Sequence, residues 1–167
     1  RKEGFPEAAY KGGFVVQLEN DMKTTKTLPV ATVPGKLQSV GTPYEGHAFL
    51  EASSIRKIKN KYYLVYSSEQ GHELCYALAE NPMGPFSYQG TIVSNGDVGL
   101  AGRMEKDAVN YLGNNHGGIL IIEDKYYIFY HRHTYGTQYS RQGCAEKIEL
   151  KEDGTIPQVE ITSSGMS

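Results

Sequence analysis

The chain has 167 residues, of which 39% are hydrophobic and 22% are charged, an ordinary balance for a globular domain. Its 17 basic and 19 acidic side chains give a net charge of −2, which excludes a protein that binds nucleic acid through a general basic surface. No apolar run approaches the roughly 20 residues of a membrane-spanning helix, and two cysteines cannot form a disulfide framework. We interpret Cys75 and Cys144 as small core residues, with a single bridge between them left open.

Strand signals dominate the chain, and helical periodicity is nearly absent. Short runs of β-branched and aromatic residues alternate with glycine, asparagine, aspartate and proline, which is typical of an all-β protein. In chain order, these runs predict strands at residues 13–18, 54–58, 62–67, 74–79, 86–92, 118–122, 126–131, 145–150 and 158–162. Residues 103–112 have weak helical spacing, and we interpret them as a loop insertion.

An internal repeat organises the predicted strands. The hairpin of residues 54–66 matches that of residues 118–130, about 64 residues later. A third strand follows each hairpin and carries Cys75 or Cys144, and a fourth strand then closes each unit. One four-stranded sheet cannot bury both of its faces alone, whereas stacking such sheets around an axis buries them. The repeat therefore predicts blades of a β-propeller.

The predicted blades do not complete a ring. Complete blades cover residues 47–95 and 114–163, residues 8–32 supply one hairpin of a preceding blade, and residues 1–46 form the end of that middle blade and a linker. These two and a half blades fall short of the roughly four that a closed ring needs. The chain also opens at Arg1-Lys2-Glu3 as if cut from a longer protein, which leaves its compartment, secreted or cytoplasmic, open. The alternative is an ordinary β-sandwich with a fortuitous repeat.

Several motifs lie in a specific order along the repeat. The most informative is Phe49-Leu50-Glu51-Ala52-Ser53-Ser54, which lies within residues 45–57. The others occupy residues 61–67, 81–86, 114–118, 126–132 and 140–142. Together they resemble glycoside hydrolase family 43, the five-bladed β-propeller glycosidases. The resemblance covers nearly the whole chain and implies the C-terminal portion, residues 1–167, of one catalytic propeller.

The resemblance implies an enzyme that hydrolyses the glycosidic bonds of arabinose- or xylose-containing plant polysaccharides or oligosaccharides. Family members of this kind invert the anomeric centre with two carboxyl groups, one acid and one base, about 6.5–9.5 Å apart. Such α-L-arabinofuranosidases and β-xylosidases need no cofactor for this reaction. A third carboxylate in the family adjusts the acid and orients the sugar.

Glu51 matches the family's general acid. Its neighbours Phe49, Leu50 and Ala52 predict a partly desolvated carboxyl, and desolvation favours the protonated form. The alternative is a solvated glutamate at the start of a strand. The family's base and third carboxylate are aspartates of earlier blades, and no matching motif occurs here. The remaining aspartates are interpreted as residues of turns, loops or strand ends: Asp21, Asp97, Asp107, Asp124 and Asp153. The chain alone is therefore expected to be inactive.

Three further residues complete the predicted site. His116 matches a histidine that faces the central channel, where it meets either a calcium ion, held through water, or water alone. Arg141 resembles an arginine that reaches the sugar, since a guanidinium fork suits vicinal hydroxyls, although a surface loop position is the alternative. His47 either lines the pocket or is a loop residue.

A second hypothesis is a catalytically incomplete carbohydrate-binding or assembly module. Such a truncated propeller keeps half of the pocket and associates through its open blade faces, with itself or with complementing blades. Exposed blade faces are large apolar surfaces, and such surfaces rarely remain bare.

Overall fold

The structure, a computed structural model, describes residues 11–166. Its strands form three antiparallel sheets of two, four and three strands. The first sheet pairs β1 (Gly12–Val15) with β2 (Val30–Pro34), and the single turn of helix α1 (Lys36–Ser39) follows. The sequence did not predict β2 as a separate strand. Part of the hairpin predicted at residues 8–32 lies outside the described residues.

The four-stranded sheet holds β3 (Phe49–Ile58), β4 (Lys61–Ser68), β5 (Glu73–Ala79) and β6 (Ser87–Ser94), in that order. The three-stranded sheet holds β7 (Gly118–Ile122), β8 (Lys125–His133) and β9 (Arg141–Ile148), also in chain order. Between the two sheets, residues 95–117 form a loop with three short 3-10 turns, Asn95–Asp97, Leu100–Gly102 and Glu105–Asp107. The interpretation of residues 103–112 as a loop is thus confirmed. No helix among residues 11–166 is long and apolar enough to cross a membrane.

The strand predicted at residues 158–162 is wrong, so the third sheet has three described strands instead of four. The backbone N–H groups of this segment are taken by partners in different elements. Val159 donates to the carbonyl of Ile92 in β6 at 2.8 Å, and Thr162 donates to the Glu146 carboxylate in β9 at 2.8 Å. The segment therefore bridges the two larger sheets and does not extend the third one.

The four-stranded sheet is covered on both faces. Alternate residues of β4 point to opposite sides, so Tyr63 and Val65 join one core cluster while Leu64 and Tyr66 join another. The first cluster contains Ile119 and Ile128 of the three-stranded sheet, and the second contains Val33 of β2. Burial of each large apolar side chain contributes about 1.5–3 kcal/mol, so the sheets stabilise each other by stacking.

The first strands of the three sheets lie side by side. The Nε of Arg56 in β3 donates to the carbonyl of Ile119 in β7 at 3.0 Å. A Cβ built on Gly118 would lie 2.5 Å from Ser54 Oγ, and one built on Gly13 of β1 would lie 3.3 Å from the Phe49 ring. This is the arrangement of inner strands in successive propeller blades, and it confirms the all-β prediction.

Candidate active site

Glu51 lies where the first strand of the middle sheet is distorted. The pairing of β3 with β4 is irregular between Phe49 and Glu51 and again between Glu51 and Ser54. Ala52, inside this irregularity, has a φ of 57°, in the left-handed region that costs a residue with a Cβ free energy. A bulge of this kind re-aims the adjacent side chain. The Glu51 side chain is 46% exposed, so its carboxyl is partly desolvated and still reaches solvent.

The Glu51 carboxylate meets the predicted channel histidine. Glu51 Oε1 and His116 Nε2 lie 2.9 Å apart, within hydrogen-bonding distance. His116 precedes β7 by two residues, and the two glycines that follow it allow the close approach. A Cβ on Gly117 would lie 1.9 Å from the Phe129 carbonyl oxygen, so any other residue there would push β7 away from β8. The structure thus joins two residues that are 65 positions apart.

A row of aromatic rings extends from His116. The His116 and His131 ring centroids are 5.2 Å apart and nearly perpendicular, and those of His131 and His133 are 5.7 Å apart. Tyr111 stacks on His133 at 5.7 Å. Sequence reasoning did not assign His133 or Tyr111 to the site. The available signal was the spacing of His131 and His133, because residues two apart in a strand share a face.

The histidine row is held from behind by its loop. His133 is 5% exposed, and its Nε2 lies 2.5 Å from the amide oxygen of Asn114. A Cβ on Gly113 would lie 2.4 Å from the His133 ring. Residues 113–114 therefore form a wall against which His133 packs.

Electrostatics keep the middle of this row neutral. Burial, together with the nearby His116, Arg141 and His133, lowers the pKa of His131 to about 4. At neutral pH, His131 therefore adds no positive charge beside the Glu51–His116 pair. Arg141 is the exposed first residue of β9, and its Nε donates to the Gln138 carbonyl oxygen at 3.4 Å. Its guanidinium lies close enough to affect His131, which connects the predicted sugar-binding arginine to the same end of the sheets.

His47 contacts Glu73 and Tyr88. Its Nδ1 lies 2.7 Å from Glu73 Oε1, and its ring stacks on Tyr88 at 5.2 Å. The hydrogen bond to Glu73 raises the pKa of His47. None of the described contacts of His47 involves Glu51, His116 or Arg141, so its role in the pocket stays a prediction.

The aspartates occupy structural positions. Asp21 Oδ1 accepts the N–H of Lys23, and Asp153 Oδ1 accepts the N–H of Thr155, both at 2.8 Å, as turn aspartates do. Asp124 has a φ of 60° in the turn between β7 and β8. Asp97 is 2% exposed and accepts the N–H of Ile161 at 2.8 Å. None of these described bonds reaches Glu51.

The side chains around His116 do not form a direct calcium site. Its described partners are the Glu51 carboxylate and the imidazole ring of His131, whereas calcium takes about six to eight oxygen ligands. The geometry fits water or a hydrated ion next to His116.

Comparison with known proteins gives consistent matches. A family model described as glycosyl hydrolases family 43 matches residues 5–156. A xylosidase/arabinosidase of Thermoclostridium stercorarium is 51% identical over 156 residues, which are 93% of this chain and 33% of that protein. The chain therefore spans about a third of that relative's length.

Solved structures match the fold. A family 43 β-xylosidase/α-arabinofuranosidase from a compost metagenome, described as a calcium-free form in complex with xylotriose, has a TM-score of 0.67 and 26% identity. The match covers 92% of this chain and 44% of that one. An enzyme from Xanthomonas citri has a TM-score of 0.71 at 24% identity, over 99% of this chain and 47% of that one. The three antiparallel sheets of this chain, together with these structural neighbours, confirm the predicted partial β-propeller.

Proposed function

Because the chain belongs to glycosyl hydrolase family 43, we propose that its protein hydrolyses O-glycosidic bonds of arabinose- or xylose-containing polysaccharides or oligosaccharides. The proposed reaction inverts the anomeric centre, and Glu51 is its general acid. In this proposal, residues 1–167 belong to the C-terminal portion of one propeller domain, with one blade at 47–95 and another that contains β7, β8 and β9. The family resemblance drawn from the sequence motifs is confirmed by the matches to the family model and to relatives.

The observation that carries this proposal is the Glu51–His116 pair at the bulge of β3. A general acid must be fixed in position and must also reach the leaving oxygen. His116 holds one carboxylate oxygen at 2.9 Å, while the half-exposed side chain leaves the second oxygen free to face a sugar. Glu51 therefore delivers its proton to the departing glycosidic oxygen as the bond to the anomeric carbon breaks.

The base that activates water is a second carboxylate about 6.5–9.5 Å from the acid. The aspartates of residues 11–166 serve in turns or in buried structural bonds, which supports a base supplied from outside the chain. By itself the chain is then inactive. This proposal requires no cofactor, and His116 faces either a hydrated calcium ion or water alone.

Arg141 is proposed to bind sugar hydroxyl groups. It is exposed at the end of the sheets where His131 and His116 lie, and its guanidinium can donate two parallel hydrogen bonds to vicinal hydroxyls. Two relatives support the proposed sugar class, because one is described as a xylosidase/arabinosidase and another is described in complex with xylotriose.

The test measures hydrolysis of an alkyl β-D-xyloside and an alkyl α-L-arabinofuranoside by the intact protein, with NMR detection of the first anomer released. We expect inverted product, and loss of activity in Glu51→Ala but not in Glu149→Gln, an exposed strand-end control. Hydrolysis with retained configuration, or full activity of Glu51→Ala, would refute the proposal. Substantial turnover by residues 1–167 alone would refute the external base.

The assembly hypothesis is favoured by one observation, the uncovered apolar surface of the outer sheets. Among the described residues, Phe14 is 54% exposed and Val30 is 43% exposed on the two-stranded sheet. On the three-stranded sheet, a cavity of about 550 Å³ is lined by Phe129, Cys144 and Met166, among others. Light scattering distinguishes the hypotheses, because a defined dimer without hydrolysis supports assembly and an active monomer contradicts it.

A further inference from the structure

Three side chains with different ligand atoms converge beneath the start of β3. His47 Nδ1 lies 2.7 Å from Glu73 Oε1, Cys75 Sγ lies 3.3 Å from the same oxygen, and Cys75 Sγ lies 3.8 Å from His47 Nδ1. The three ligand atoms lie within 4.8 Å of one another. Glu73 and Cys75 are two residues apart in β5, so their side chains share one face of the sheet.

Too many donors converge on a single oxygen of Glu73. His47 Nδ1 and Cys75 Sγ approach Oε1, and Ser68 Oγ donates to the same atom at 2.5 Å. One carboxylate oxygen offers about two lone-pair sites, so three donors exceed its capacity. Thr91 Oγ1 meanwhile donates to Oε2 at 2.9 Å and fixes the carboxylate in place. Replacing two of the protons by a single cation would relieve this crowding.

We propose that His47, Glu73 and Cys75 bind a divalent cation of the zinc class. Imidazole, carboxylate and thiolate together suit zinc and exclude calcium and magnesium, which prefer oxygen ligands. Ligands of a tetrahedral zinc ion stand about 3.3–3.6 Å apart. Two of the three distances, 3.3 and 3.8 Å, are already near this range, and the third, 2.7 Å, must open by roughly half an ångström.

Access to this site comes from the side of His47. The His47 side chain is 38% exposed, whereas that of Glu73 is 6% exposed. A cation therefore enters past the imidazole ring, and a water molecule from solvent fills the fourth position. The Glu51–His116 pair contains no sulfur ligand, so the two sites can be told apart spectroscopically.

Cation binding at this site releases protons. The Cys75 thiol donates to Glu73 Oε1 at 3.3 Å and so carries its proton in the structure without a cation. Coordination moves the sulfur–hydrogen electron pair to the metal and passes the thiol proton to solvent. The cation binds Nδ1 of a neutral His47 imidazole that carries its proton on Nε2, so an imidazolium at this position releases its Nδ1 proton to solvent. Affinity is therefore expected to rise with pH.

The test titrates the metal-stripped intact protein with Co²⁺, which gives an intense thiolate-to-cobalt charge-transfer band only when sulfur binds the metal. We expect the band in wild type and in Cys144→Ser, its loss in Cys75→Ser, and its removal by added Zn²⁺. Absence of the band in wild type, or its persistence in Cys75→Ser, would overturn the proposal.

A second variant keeps the proposal testable if Cys75→Ser does not fold. His47→Gln changes a partly exposed side chain, and circular dichroism checks that it folds. We expect it to weaken Co²⁺ binding by at least about tenfold, the loss typical of a removed ligand or its support. Unchanged affinity in folded His47→Gln would also overturn the proposal. Because the readout is spectroscopic, its failure would leave the glycosidase proposal intact.

Discussion

Tyr76→Phe should destabilise the protein through a segment far from it in sequence. The Tyr76 hydroxyl accepts the N–H of Ile156 at 2.7 Å and lies 3.3 Å from the Ile156 carbonyl oxygen. Tyr76 is 0% exposed and Ile156 is 4% exposed, so water does not replace the lost hydroxyl. An unsatisfied buried donor costs about 1–3 kcal/mol. For a chain of this length, about 2 kcal/mol lowers the melting temperature by roughly 4–8 °C.

Urea unfolding of the intact protein measures this loss as a shift in midpoint at unchanged slope. Tyr63→Phe should destabilise the protein less than Tyr76→Phe. The Tyr63 hydroxyl donates to the Gly154 carbonyl at 2.8 Å, so its loss leaves only an acceptor unpaired. Tyr62→Phe, on a half-buried ring, is the control and should change stability by less than about 0.5 kcal/mol. Equal effects of the Tyr76 and Tyr62 changes would refute the stabilising role assigned to the buried hydrogen bond between Tyr76 and Ile156.

Two further predictions follow from the site. Gly117→Ala should cost at least about 1–3 kcal/mol and reduce turnover, because its Cβ would overlap the Phe129 carbonyl beside His116. Gly143→Ala, which meets nothing within 4 Å, is the matched control in thermal unfolding and activity assays, and equal losses would contradict this reasoning. For His131, a folded pKa of about 4 lies below the unfolded value of 6.5, so the unfolded state binds the proton first and stability falls as the pH drops from 6.5 to 4. Replacing His131 by Gln should therefore reduce the loss of stability at low pH, measured by urea unfolding from pH 4 to 8. An unchanged dependence of stability on pH would show that His131 titrates normally.

The sequence predicted those parts of the fold that depend on local pattern. The strands at residues 62–67 and 126–131 were predictable because turn residues separate these runs of β-branched and aromatic residues from their neighbours. The strand expected at 158–162 had the right composition, but Glu146 and Ile92 capture its N–H groups. Such long-range competition leaves no local signal.

The candidate site was predictable to the extent that a motif marks it. Glu51 and His116 were identified through the resemblance, and the structure brings them together. The bulge at Ala52, which aims the Glu51 side chain, was not predictable, because nothing in the residue type indicates a positive φ. The convergence of His47 on Glu73 and Cys75 depends on tertiary packing between residues 26 and 28 positions apart.

The general-acid role of Glu51 is tested most directly by the dependence of turnover on the leaving group. Glu51→Gln in the intact protein cannot donate a proton, and general acid catalysis contributes about 10²–10⁴-fold. We predict a loss of that order for xylosides or arabinofuranosides with alkyl leaving groups, and a much smaller loss for activated aryl glycosides. An equal loss for both kinds of substrate would contradict the assignment of Glu51 as the acid.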